Sequence, residues 1–219
     1  MMSTIIQIPD SVYDYLTDSG IQSVVDHLLE QGDNELPEEL AWDEVRAFHE
    51  AYLSAQKVKT DYVLWLMDLW DAIWQPALDK QEIHFKPWMP REMKEWDAEP
   101  SRQTVWYDAI YHRWFSNQMP NGKFEFDTRI EILHEKSKLQ LFFRVDNGEE
   151  EIIPKQFDWQ TTLKDWEFEE DDCGYLITSQ ELLPTQANSK QLDLTQLATL
   201  AEDIMTQTMT HLKKWETKK

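Results

Sequence analysis

Cysteine occurs once in this 219-residue chain and glycine only five times, and each scarcity removes a class of chemistry. A single thiol, Cys173, can close no internal disulfide and cannot supply a zinc ribbon. Its neighbours Glu170, Asp171 and Asp172 disfavour a thiolate, so the expected role is a turn or partly buried residue without chemistry. The five glycines form no GxGxxG, no GxxxxGKS or GxxxxGKT and no GxSxG, which removes the commonest nucleotide and hydrolase signatures. Six histidines contain neither His-x-His nor HExxH, so no structural zinc is expected.

Basic side chains are scarce too. Lysine and arginine number 21 against 42 aspartates and glutamates, a formal net charge of −21. That field repels bare nucleic acid and an anionic leaflet, because both carry negative charge of their own. A basic protein or a cationic ligand is the partner it suits.

Long apolar runs are absent as well. No stretch of about 18 apolar residues is free of charge. The richest candidate, "DYVLWLMDLWDAIWQPALDK", contains Asp61, Asp68, Asp71 and Asp79. Each aspartate at a bilayer centre would cost about 2.5–3.5 kcal/mol, so this is not a membrane span. The N-terminal "MMSTIIQIPDSVYDYL" has no positive n-region and no long apolar run. Together with the lone cysteine, this makes the reducing cytoplasm the expected compartment.

What is present is enough for a core: 41% of residues are hydrophobic and eleven are tryptophan. Stepped at 100° per residue, Asp61, Asp68, Asp71, Gln75 and Asp79 fall on one narrow stripe, and large apolar residues fill the remaining arc. The apolar spacing extends upstream through Val45, Phe48, Tyr52 and Ala55, broken at Lys59. Two arrangements satisfy it: one long helix from about residue 37 to 75, or two helices meeting near "KVKT". Ile21, Val24, Val25, Leu28 and Leu29 repeat at helical spacing before Gly32, a C-terminal stop. A shorter helix before them is opened by Ser11 with Asp14 in capping-box register. Prolines 87, 90 and 100 forbid a continuous helix from 81 to 100, after which Ser101 caps an expected aromatic helix, "RQTVWYDAIYHRWF".

Beyond Gly122 the period changes from helix to strand. Phe124, Phe126, Thr128, Ile130 and Ile132 alternate with charged residues, and Leu139, Leu141, Phe143 and Val145 repeat the pattern. "DNGE" then signals a hairpin turn into "EEIIP", and weaker strands are expected at "DWEFE" and "YLITS". The C-terminal "LDLTQLATLAEDIMTQTMTHLKKW" is again helical, with Asp193 and Gln196 in N-cap and N3 register. The expected class is α+β: a helical N-terminal region over residues 1–120, then an antiparallel β-meander and a closing C-terminal helix over 121–219, packed as one unit.

Acidic residues are concentrated. From Glu149 to Asp172 there are ten acids and two lysines, interleaved with Phe157, Trp159, Trp166 and Phe168. Trp70, Trp74 and Trp106 fall at inward positions, whereas Trp88, Trp96, Trp159 and Trp166 are expected to be partly exposed. Aromatic faces beside carboxylates attract arginine and lysine side chains. The expected partner-binding residues are therefore Glu149, Glu150, Glu151, Trp159, Trp166, Glu167, Glu169, Glu170, Asp171 and Asp172.

Three functions compete. The favoured one is a non-enzymatic acidic module that docks on a basic protein, nucleic-acid-binding proteins being one such class, as inhibitor, DNA mimic or complex subunit, with no cofactor. A metal-dependent hydrolase would use the carboxylates from Glu167 to Asp172, although these lack the spacing and central glycine of an EF-hand loop, and Glu92-x-Lys94 lies outside any strand pattern. A small-ligand binder would need a tryptophan-lined pocket between helices and sheet.

Overall fold

Between Trp42 and Lys80 the chain forms one uninterrupted helix of 39 residues, roughly 58 Å long at 1.5 Å per residue. Of the two arrangements the spacing allowed, the rod is the one adopted. No glycine interrupts it, and its single proline, Pro76, lies in an exposed position near the end. Its start is held by Glu44, whose carboxylate accepts the Ala41 N–H at 2.9 Å, the N3 half of a capping box.

The computed structural model describes residues 4–32, 40–81, 112–117, 124–133, 137–146, 163–169, 175–182 and 190–216. In chain order these form β1 (Ile5–Gln7), α1 (Asp10–Thr17), α2 (Ser19–Gly32), α3 (Trp42–Lys80), β2 (His112–Asn117), β3 (Phe124–Leu133), β4 (Lys138–Asp146), β5 (Glu167–Glu169), β6 (Tyr175–Glu181), β7 (Gln191–Asp193) and α4 (Thr195–Glu216). The class is α+β, with helices first, antiparallel strands in the middle and a helix last.

Five strands pair in the order β2-β3-β4-β6-β5, every neighbour antiparallel. The run β2-β3-β4 is a meander, but β6 takes the place beside β4 and sends β5 to the edge. Alternation has the expected result: Phe126, Thr128, Ile130, Ile132, Leu139, Leu141, Phe143 and Val145 are all buried. The expected turn at "DNGE" and the strand "EEIIP" lie outside the described residues, as do Ser101 and the segment from 82 to 111.

Helix α3 reaches the sheet through two tryptophans. Trp70 Nε1 donates to the Thr128 carbonyl and Trp74 Nε1 to the Arg129 carbonyl, both at 3.3 Å. The Trp74 ring stacks on Phe143 with centroids 5.9 Å apart. The wide apolar arc is explained by α4, which packs along α3 and buries Leu197, Ala201, Ile204, Met205, Met209 and Leu212 in the same core. Helix α3 hydrogen-bonds to the sheet, α4 lies against α3, and all three share one core.

Several local expectations are corrected. Helix α1 starts at Asp10 with Pro9 in the cap position, and Ser11 Oγ donates instead to Asp61 at 2.8 Å. Residues 112–117, expected at the end of an aromatic helix, are a strand, because the open edge of β3 pairs with them from His112↔Arg129 to Asn117↔Phe124. Leu192, just before the expected cap at Asp193, belongs to a strand. Residues Ile5–Gln7 and Gln191–Asp193 form a two-stranded ribbon, closed by Ile8 N–H to the Lys190 carbonyl at 2.7 Å and Leu194 N–H to the Thr4 carbonyl at 2.8 Å.

Candidate functional site

An open groove of about 590 Å³ is lined by Asp165, Asp193, Thr195, Gln196, Thr199, Leu200 and Asp203. Its three carboxylates come from three different elements. Asp165 sits on a turn in which the Trp166 N–H bonds to the Leu163 carbonyl at 3.0 Å. Leu163 and Trp166, each 4% exposed, anchor the turn in the core and leave Asp165 at the surface.

Asp193 ends β7, where the exposure pattern places Leu192 inward and Asp193 outward. Its Oδ1 accepts the Thr195 N–H at 2.9 Å, filling one of the unpaired donors at the start of α4. Leu194 therefore holds the cap position that the sequence had suggested for Asp193. The Thr195 hydroxyl and N–H both bond to the Asp193 carboxylate and hold it below the usual carboxylate range, so it is charged at neutral pH.

Asp203 belongs to α4 itself. Thr195, Thr199 and Asp203 recur at intervals of four residues and share one helix face, with Gln196 and Leu200 beside them. Thr199 Oγ1 is bonded to the Thr195 carbonyl at 2.8 Å, and Thr195 Oγ1 accepts the Thr4 N–H at 3.0 Å. Thr195 and Thr199 are thus each tied to backbone.

Electrostatically the groove is anionic. The α4 N-terminus contributes only about half a positive charge, which three aspartates outweigh. No lysine or arginine is among the described residues that line it. Oxygen acceptors surround a space in which Leu200 offers an aliphatic surface, an arrangement suited to the head and stem of a basic side chain. Among the described residues, no group of three or more His, Cys, Asp or Glu side chains is gathered closely enough to hold a metal ion.

The residues expected from sequence are distributed unequally. Trp166 is corrected outright: it is buried rather than partly exposed, its ring 6.3 Å from that of Trp74. Glu167 is exposed on β5, directly after the groove's Asp165 turn, and Glu169 pairs in register with Tyr175. Glu149, Glu150, Glu151, Trp159, Glu170, Asp171 and Asp172 lie outside the described residues, as do Trp88, Trp96 and Trp106. Sequence reasoning passed over Asp165 within the acidic window, took Asp193 only as a cap and missed Asp203. The four-residue spacing of Thr195, Thr199 and Asp203 was the available signal. Comparison with known proteins finds no match, whether among family models, curated proteins or solved structures.

Proposed function

We propose that this chain is a non-enzymatic acidic docking protein whose groove at Asp165, Asp193 and Asp203 receives lysine or arginine side chains of a basic partner protein. One observation carries this reading: a turn, a strand and a helix each deliver an aspartate to one groove, and no basic residue is among the described residues that line it. Hydroxyl and amide oxygens supply further acceptors, and Leu200 gives the aliphatic stem a place to lie. Glu167 and the acidic run to Asp172 extend the same chemistry along the chain.

A nucleic-acid-binding protein is the partner class that such a surface fits best, because its basic groove is built for a line of negative charge. Docking there makes the chain an inhibitor, a DNA mimic or a complex subunit. In the DNA-mimic form duplex DNA competes with the chain for the same partner. The cytoplasm, where such partners meet a protein with a single cysteine, is the proposed compartment.

Affinity capture from lysate at low and high salt, with mass spectrometric identification, tests the proposal. The expected result is a basic protein retained at low salt, released at high salt and absent when Asp165→Lys/Asp203→Lys is the bait. Capture that ignores both salt and these substitutions overturns it.

A further inference from the structure

We draw no further inference here: the strongest candidate, the outward stripe of α3 on which Trp42 is 85% and Leu53 49% exposed, is an apolar face without a partner among the described residues, and nothing in the structure shows what covers it.

Discussion

At the scale of single residues, close approach and buried polar contacts set the sharpest constraints. A Cβ on Gly32 would lie 1.9 Å from Tyr52 Cε2 and 2.3 Å from Cδ2, so the helix α2 passes the Tyr52 ring at a distance only glycine permits. Gly32→Ala gains up to about 1 kcal/mol of helix propensity but forces out a half-buried ring, an overpacking cost of about 1–3 kcal/mol. The expected net effect in urea unfolding is a loss of about 1 kcal/mol, and in a Tyr52→Ala background the same substitution becomes stabilising. The sequence offered Gly32 as a helix stop; its close contact with Tyr52, twenty positions away, is a tertiary fact that no local pattern carries. Lys59, the break in the apolar spacing, has a similar explanation. Its Nζ donates to Tyr15 Oη at 2.6 Å and pairs with Asp26 at 3.0 Å, while the Tyr15 hydroxyl donates to Asp26 at 3.0 Å. Burial pushes Lys59 down, but these two partners prevail and raise it above its ordinary 10.5. Burial raises Tyr15 above 10.0, with the Lys59 contacts opposing. Both groups thus bind their protons more tightly when folded, so their contribution is complete below about pH 10 and is lost as pH rises through the folded values. Chemical denaturation between pH 8 and pH 12, at roughly the limits set by these groups, should show that loss. The Tyr15→Phe/Lys59→Met variant should be less stable at neutral pH by about 1–3 kcal/mol and flatter in its alkaline limb. An equally steep limb in the variant would remove these groups from the account.

Among the elements, legibility followed how local the stabilising contacts are. Strands β3 and β4 were visible because one face of each is buried and the other wet, which writes the period into the sequence. Strand β2 was misread because aromatic residues suit either element, and the partner that decides between them, the edge of β3, lies outside the segment itself. The ribbon of β1 and β7 was invisible for the same reason: three-residue strands joined across more than 180 positions leave almost no local pattern. Helix α3 was legible as helical but not as continuous, because apolar spacing fixes which face is buried and says nothing of a bend. Spin labels at Arg46 and Asp68, in a Cys173→Ser background, decide it directly. A continuous rod places their backbones about 33 Å apart. A hairpin turning near Val58 would bring them to about 10–15 Å, the spacing of side-by-side helices.

For the whole molecule, the question is whether net charge or one surface governs docking. A chain of −21 attracts any basic protein to some degree, so loss of binding on charge reversal is informative only against a matched control. Asp165→Lys/Asp203→Lys reverses the groove, and Asp43→Lys/Glu50→Lys reverses two exposed acids on α3. Each reversal changes the charge by two, so both doubles carry −17 in place of −21. If the groove is the docking site, the first double weakens capture of the salt-labile partner by about tenfold or more and flattens its salt dependence, whereas the second leaves both nearly intact. Equal weakening by the two would assign the attraction to overall charge and reduce the acidity to a solubility device. Trp166 supplies the complementary control. Packed between the Asp165 turn and Trp74, it supports the groove from within, so Trp166→Ala should cost about 3–5 kcal/mol of stability through the cavity it leaves. Below its lowered melting temperature, affinity should fall only as far as the Asp165 turn loosens, and a rescuing Trp166→Phe should restore most of both. Affinity lost in Trp166→Phe at full stability would instead mean that the indole touches the partner, returning this tryptophan to the binding surface from which its burial removes it.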